Sequence, residues 1–168
     1  VLVADTNVED FPSSERLVAI SKSCVRVSKL FGFDPKVAFL SHSTFGKPIS
    51  RNTKHVRDAI EILRTDKVDF DFDGEMQPDV ALNPIYQEIY PFSKIVGRAN
   101  ILIMPALHSA AISTKLMKSF GGAKLIGPLL IGLDLPIEVA PLRSSTSDIL
   151  NLASIAAYSA DVIDYIKN

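Results

Sequence analysis

Residues 36–47 read KVAFLSHSTFGK, an apolar run that passes directly into a polar loop. The run from Lys36 to Ser41 predicts a strand, because a strand that is buried on both faces of a sheet is apolar without alternation. Pro35 bounds the strand on one side, and His42 begins the loop on the other. Strands of this kind are typical of parallel sheets, so the stretch predicts an α/β fold.

The same alternation of strand and helix patterns extends on both sides of this stretch. Strand patterns cover residues 1–5, 36–41, 69–73, 101–104, 125–133 and 137–140, and helical patterns cover residues 14–31, 53–63, 79–89, 110–120 and 145–166. Strands that alternate with helices predict a mainly parallel sheet with helices on both faces. Because ligands bind such sheets at the carboxyl ends of the strands, the loops that follow the strands form the candidate site.

The composition excludes several classes of partner. Lys and Arg total 18 against 19 Asp and Glu, so the formal net charge is -1. Nucleic-acid-binding domains usually carry a clear basic excess, so no nucleic-acid partner is expected. No apolar stretch reaches the ~18 residues that a membrane span needs, so no membrane partner is expected either.

The single cysteine and the scattered histidines argue against metal binding. Cys24 cannot form an internal disulfide, and its place in a helical pattern predicts a core residue in a reducing cytoplasm. His42, His55 and His108 stand far apart in the sequence. Zinc ligands usually come as closely spaced pairs of His and Cys, so no metal site is predicted.

The loop after the strand at 36–41 is the first candidate binding segment. Ser41 and Ser43 supply hydroxyl groups, and Gly46, which has no side chain, leaves the backbone N–H groups accessible to a ligand. Hydroxyls and free backbone N–H groups can cradle a phosphate or a carboxylate. The loop is not a P-loop, because it matches neither GxxxxGK[ST] nor GxGxxG. An ordinary polar turn is the alternative.

The second candidate segment, residues 73–79, reads DGEMQPD. Asp73, Glu75 and Asp79 supply three carboxylates, Gln77 supplies an amide, and Gly74 allows a tight turn. Such a segment can bind a ligand, hold a metal or form a general acid/base pair. The alternative is a strand-to-helix turn in which the acidic residues cap the helix.

Taken together, seven segments resemble the phosphate acetyl/butyryltransferase family. They are VADT (3–6), LSHSTFG (40–46), DGEMQPDVALN (73–83), RANILIMPAL (98–107), KLMKSFGGA (115–123), IGPLLIGL (126–133) and SDILN (147–151). They stand in the order of the family and run nearly from end to end. The resemblance implies the phosphotransacetylase and isocitrate-dehydrogenase-like fold, with acetyl-CoA, an acyl phosphate or phosphate as the ligand.

The resemblance also implies a division of the chain. Members of the family are longer than this chain, and Val1 already lies in an apolar run, so we expect further sequence upstream. Residues 1–140 would form the C-terminal subdomain of the family module. Residues 141–168 would be a loop and a final helix that packs on the missing N-terminal half.

Departures from the family pattern fall next to the final helix. Active members carry a Ser-Arg-Gly stretch there, followed by an Asp that is a proposed base for the thiol of coenzyme A. Asp148 matches that Asp, but Pro141 and Leu142 replace the Ser and the Arg, and Arg143 comes one residue late. Leucine offers neither charge nor donors to a phosphoryl group, so we expect acyl transfer to be lost.

Two kinds of protein carry this unit, namely phosphate acetyltransferases and the large bacterial NADP-dependent malic enzymes. The segments DGEMQPDVALN, SHSTFG and YPFS (90–93) resemble the malic-enzyme branch. Our hypothesis is a catalytically silent module, without a cofactor of its own, that senses acetyl-CoA and supports a homodimer or higher oligomer. The parent enzyme would convert malate to pyruvate and CO2 with NADP and a divalent metal. An active phosphate acetyltransferase and a purely structural assembly module are the alternatives.

Overall fold

The computed structural model describes residues 1–122, 124–133 and 135–167, and it describes side chains as far as residue 160. The strands within these residues are β1 (Leu2–Ala4), β2 (Lys36–Leu40), β3 (Asp71–Met76) and β4 (Ile101–Ile103). The helices are α1 (Ser14–Leu30), α2 (Lys54–Asp66), α3 (Pro78–Leu82), α4 (Pro84–Gln87), α5 (Leu107–Phe120) and α6 (Thr146–Lys167), and a 3-10 turn at Arg51–Thr53 precedes α2. The chain divides into two compact units, Val1–Thr114 and Lys115–Asn168.

The first unit is built on a parallel sheet. The strand order is β1-β4-β2-β3, and each neighbouring pair is parallel. Ala38 of β2 pairs with Leu102 of β4 on one side and with Asp73 of β3 on the other. All four strands therefore end at the same edge of the sheet, which confirms the predicted α/β fold.

The two central strands are buried on both faces. Val37 and Phe39 of β2 pack in a cluster with residues of α1 and α2, such as Leu17 and Leu63. Ala38, the alternate residue, packs in a second cluster with residues of α3 and with Ala110 of α5. Successive side chains of a strand point to opposite faces, so helices cover both faces of the sheet, as predicted.

Helix α1 begins as its sequence predicts. Ser13 is the N-cap, and its hydroxyl accepts a hydrogen bond from the Arg16 backbone N–H at 3.3 Å. The same hydroxyl donates to Glu15 at 2.7 Å, and this bond holds the pKa of Glu15 below its usual value. An acidic residue in the first turn also suits the positive end of the helix dipole.

Strand β3 differs from its predicted position. Its predicted range was 69–73, but the strand covers Asp71–Met76, so Asp73, Gly74 and Glu75 lie inside the sheet rather than in the loop after it. A carboxylate is costly to bury in a strand unless the fold supplies hydrogen-bond or charge partners for it. Asp73 and Glu75 both have such partners, as the site below describes.

The second unit contains α6 but none of the predicted strands. The predictions for residues 125–133 and 137–140 were wrong, since the described residues there form no strand. Gly127 and Gly132 have φ values of 129° and 91°, and Pro128 has no N–H to donate. An apolar stretch therefore does not by itself form a paired β-strand. The final helix is confirmed at Thr146–Lys167. Its apolar spacing from Ile149 to Ile163 predicts an inward face, and the side chain of Ile163 lies outside the described residues.

None of the helices in the described part of the chain is long and apolar enough to cross a membrane.

The single cysteine offers a test of the α1 packing. Burial against the sheet, with a smaller contribution from the charge of Asp5, raises the pKa of Cys24 to about 12. At pH 8 the folded protein should therefore leave Cys24 as an unreactive thiol, because only the thiolate is nucleophilic. We expect negligible reaction with Ellman's reagent in buffer and one thiol per chain after unfolding in guanidinium chloride. Rapid labelling of the native protein would contradict the packing of α1.

Candidate functional site

The loop after β2 closes on itself in a tight turn. Thr44 and Lys47 exchange two backbone hydrogen bonds, each of 3.1 Å. The two residues between them, Phe45 and Gly46, have φ values of 48° and 80°. Positive φ at both central positions is the geometry of a type I′ turn, and it explains the need for Gly46.

The two serines of this loop point inward. Ser43 is fully buried, and its hydroxyl donates to Glu75 Oε1 at 2.7 Å. The Ser41 hydroxyl lies 3.2 Å from that of Ser43 and also accepts a bond from the Ser43 N–H. The sequence suggested these hydroxyls for an anion cradle. In the structure they bond to each other and to Glu75, and these bonds hold the start of the loop in place.

Glu75 is the centre of this network. Its side chain is buried, and Arg57 of α2 places Nη1 at 3.2 Å and 3.4 Å from its two carboxylate oxygens. The same guanidinium donates to Thr53 Oγ1 at 2.6 Å and to the Ser50 carbonyl at 3.0 Å. Both carboxylate oxygens are occupied, so Glu75 is a structural acceptor.

Sequence reasoning missed Arg57. It sits in the helical pattern of α2 beside Val56, where it reads as a surface charge. The available signal was Glu75 itself, since a carboxylate this close to a buried strand needs a cation nearby.

Asp73 is likewise committed to internal contacts. Its Oδ1 accepts from the Gly74 N–H at 3.0 Å and faces Arg64 Nη2 at 3.5 Å, and its Oδ2 accepts from the Lys94 N–H at 2.8 Å. Asp73 therefore ties the segment that precedes β4 to β3.

Gly74 lies between these two carboxylates because no other residue fits there. Its φ is 146°, and a Cβ at this position would stand 2.7 Å from the carbonyl oxygen of Phe39 on β2. Any side chain would push the two strands apart, so glycine is required by the close approach of β2 and β3.

Gln77 and Asp79 lie at the exposed edge, where α3 begins. The side-chain amide of Gln77 donates to the His42 carbonyl at 2.6 Å, and the backbone N–H of Gln77 donates to Thr44 Oγ1 at 3.2 Å. Asp79 is in the first turn of α3 and accepts from the Val80 N–H at 3.0 Å. Gln77 thus joins the loop after β2 to the end of β3.

The remaining predicted residues belong to the second unit. Asp148 accepts bonds from the N–H and the hydroxyl of Ser145, and its own N–H donates to the Ser145 hydroxyl. This reciprocal arrangement is a capping box at the start of α6. These bonds, with a smaller contribution from Lys118 and Lys124, hold the pKa of Asp148 below its usual value. Arg143 is exposed.

Among the predicted site residues, Glu75 and Asp148 are poorly suited to move a proton. Glu75 is ion-paired, and a carboxylate with a lowered pKa such as Asp148 is a weak base. No cluster of three or more His, Cys, Asp or Glu side chains among the described residues is placed to hold a metal ion. The exposed edge around Gln77 carries polar groups from the loop after β2 and from the start of α3, among them the side chains of Gln77 and Asp79.

Comparison with known proteins gives consistent matches. The model of the phosphate acetyl/butaryl transferase family matches residues 1–157. The NADP-dependent malic enzyme of Rhizobium meliloti is 50% identical over 160 residues, which cover 95% of this chain and 21% of that protein. The phosphate acetyltransferase of Bacillus subtilis is 34% identical over 158 residues, which cover 94% of this chain and 49% of that protein.

Solved structures agree with these matches. A phosphotransacetylase from Streptococcus pyogenes superposes with a TM-score of 0.87 at 36% identity, covering 94% of this chain and 48% of that one. The EutD phosphotransacetylase from Staphylococcus aureus gives a TM-score of 0.84 at 31% identity, covering 94% and 49%. The chain thus spans about a fifth of the malic-enzyme relative and about half of the transferases.

The buried ion pair predicts a large effect of a single substitution. Arg57→Met would leave Glu75 buried without a cation, and we expect a loss of about 3 kcal/mol in the free energy of unfolding, the low end of the usual cost because Arg57 itself is partly exposed. Lys54→Met is the matched control on the same helix, because Lys54 is exposed and its ion pair among the described residues is with the half-exposed Asp58. The control should cost less than about 0.5 kcal/mol. Urea denaturation of both variants measures the difference.

A double variant sharpens this test. Glu75→Gln together with Arg57→Met should lower the free energy of unfolding by less than the sum of the two single changes. Each single change leaves the charge of the other residue unpaired, and the second substitution removes that unpaired charge. Strict additivity would mean that the two side chains do not interact.

The capping box at α6 predicts a shifted titration. Ser145→Ala removes the hydroxyl that donates to Asp148, so the pKa of Asp148 should rise toward its ordinary value. Because the folded-state pKa is lowered, the stabilisation that it reflects is present at neutral pH and is lost as the pH falls through that pKa. Carboxyl titration by NMR measures the shift. Ser154→Ala removes a hydroxyl that donates to the Leu150 carbonyl one turn earlier, and it should leave the pKa of Asp148 unchanged.

Proposed function

The chain belongs to the phosphate acetyl/butaryl transferase family, and we propose that it is a ligand-sensing module of an NADP-dependent malic enzyme that no longer transfers acyl groups. It is a phosphotransacetylase-like domain of the kind that malic enzymes also carry. Its higher identity to the malic-enzyme relative than to the transferases supports that branch.

The observation that carries the proposal is the state of residues 141–148. Leu142, which stands where active members have an Arg, is fully exposed and offers no charge to an acyl phosphate. Asp148, which matches the proposed base, accepts two hydrogen bonds from Ser145, and its pKa is lowered. An acid that is easily ionised is a poor acceptor for the proton of a thiol, so both halves of the transfer chemistry are weakened.

The groups that remain are suited to ground-state binding. The loop around Ser41 and Ser43 is held rigidly by Glu75, and Gln77 fixes its outer end. Rigid loops bind with little loss of entropy, and affinity is spread over many contacts, so binding can outlast catalysis. We propose acetyl-CoA as the ligand, with an acyl phosphate or phosphate as the smaller alternative.

The parent activity follows from the same assignment. A malic enzyme oxidatively decarboxylates malate to pyruvate and CO2, and its NADP and divalent metal would belong to the four fifths of such relatives that this chain does not cover. The module itself would hold no cofactor. We propose a homodimer or higher oligomer in the cytoplasm, supported by Ile149 and Leu150 of α6, which are more than half exposed.

An active phosphate acetyltransferase is the second candidate, supported by the match across nearly the whole chain to such enzymes. That function requires Arg143 to replace the missing Arg in the reaction. A purely structural assembly module is the third candidate, and it requires no ligand at all.

We expect the full-length protein to show malic-enzyme activity and no acetyl transfer. Loss of two charge-stabilising groups, each worth ~3 kcal/mol of barrier, should lower arsenolysis of acetyl-CoA by several powers of ten, to background. Calorimetric titration of the same protein with acetyl-CoA should give a saturable signal, and the malate-dependent reduction of NADP should change when acetyl-CoA is added. Light scattering on the same sample measures the assembly state.

Each alternative has its own outcome in this experiment. Robust arsenolysis would establish an active transferase and exclude the silent module. No turnover and no binding of acetyl-CoA would leave only the assembly role, provided that the protein is oligomeric.

A further inference from the structure

Three aromatic rings gather beside the loop that follows β2. The Phe45 ring lies 5.4 Å from Tyr90 and 4.9 Å from Phe92, and Tyr90 lies 6.1 Å from Phe92, measured between ring centroids. Phe45 and Tyr90 rest on the core cluster of the second sheet face. Phe92 is 64% exposed, so the aromatic cluster has a firm base and an open top.

Phe45 occupies an unfavourable position in its turn. Type I′ turns favour Asn, Asp or Gly at the first central position, because φ is positive there. Phe45 has a φ of 48°, which is rare for a bulky side chain. A strained residue in a loop that borders a binding edge is a reason to look for a role of its side chain.

The two buried carboxylates of β3 hold the two segments that carry these rings. Glu75 bonds the Ser43 hydroxyl through its side chain and the Phe45 N–H through its carbonyl, the latter at 2.7 Å. Asp73 bonds the Lys94 N–H and so anchors the segment with Phe92. One strand therefore positions both sides of the aromatic cluster.

Two lysines stand close to the cluster in the sequence. Lys47 and Lys94 each stand two residues from a ring, at Phe45 and Phe92 respectively, and both lysines are exposed. Neither lysine takes part in an ion pair within the part of the chain that the structure describes. Aromatic rings can stack on an aromatic base, and lysines without an ion-pair partner close to them in the sequence can bind phosphates. The segment therefore suits a ligand that joins an aromatic base to phosphates.

We propose that Phe45, Tyr90 and Phe92 bind the adenine base of coenzyme A, with Lys47 and Lys94 facing its phosphates. The inference rests on the proposed function, because it assigns one end of the acetyl-CoA molecule to a place on the module. The nucleotide end fits better than the acyl end, since an open aromatic surface suits a base that stacks while its phosphates stay in water. The base, and not the thioester, would then provide much of the affinity of the module.

The test compares three ligands on the full-length protein. Acetyl-CoA and adenosine 3′,5′-bisphosphate carry the base, whereas acetylpantetheine carries only the thioester end. Phe92→Ala should weaken binding of the first two about tenfold in calorimetric titration and leave acetylpantetheine unchanged, because base stacking on one ring has that magnitude. Phe92→Trp should retain the affinity, since indole also stacks.

Phe33→Ala is the matched control. Phe33 is 63% exposed, nearly as much as Phe92, and lies outside the aromatic cluster, so its removal should change no affinity. Thermal unfolding of each variant confirms that it is folded.

Four results would overturn the inference. Wild-type affinity of Phe92→Ala for acetyl-CoA would exclude the aromatic cluster as the base site and leave the proposed function standing. An equal loss for acetylpantetheine would place the thioester at the cluster instead, and a changed oligomeric state with unchanged affinity would make the cluster a protein contact. Failure of the wild type to bind acetyl-CoA would overturn the proposed function together with the inference.

Discussion

The buried carboxylate of Glu75 is the constraint on which the candidate site depends. A charged group buried in the edge strand β3 is tolerated only with compensating partners, and here Arg57 and Ser43 supply them. Because Arg57 comes from α2 and Ser43 from the loop after β2, this one carboxylate joins a helix, a strand and a loop. Movement of any of the three would leave a charge without its partner.

This arrangement changes the meaning of the DGE sequence. Three residues that suggest acid/base chemistry instead form a scaffold, in which Asp73 and Glu75 hold neighbouring segments and Gly74 allows β2 and β3 to approach closely. Buried and fully bonded carboxylates make positions rigid, and rigidity favours ligand binding at the sheet edge. The function of such residues is to place other groups, among them the aromatic rings around Phe45.

The second unit contrasts with this. Asp148 in that unit caps the start of α6, and Leu142, six residues earlier, is fully exposed to solvent. Capping and exposure are local solutions that need no substrate. The contacts of Glu75 and those of Asp148 therefore lie in different segments of the chain.

The sequence by itself determined the fold class, the start of α1 near residue 14 and the final helix, because periodicity and capping are local properties of neighbouring residues. It misplaced β3 and predicted strands at 125–133 and 137–140, since apolar runs do not reveal whether a pairing partner exists. Only the tertiary structure decided that Glu75 faces Arg57 and that Phe45 meets Phe92. Those contacts join residues far apart in the sequence, and they exist only once the helices have packed on the sheet.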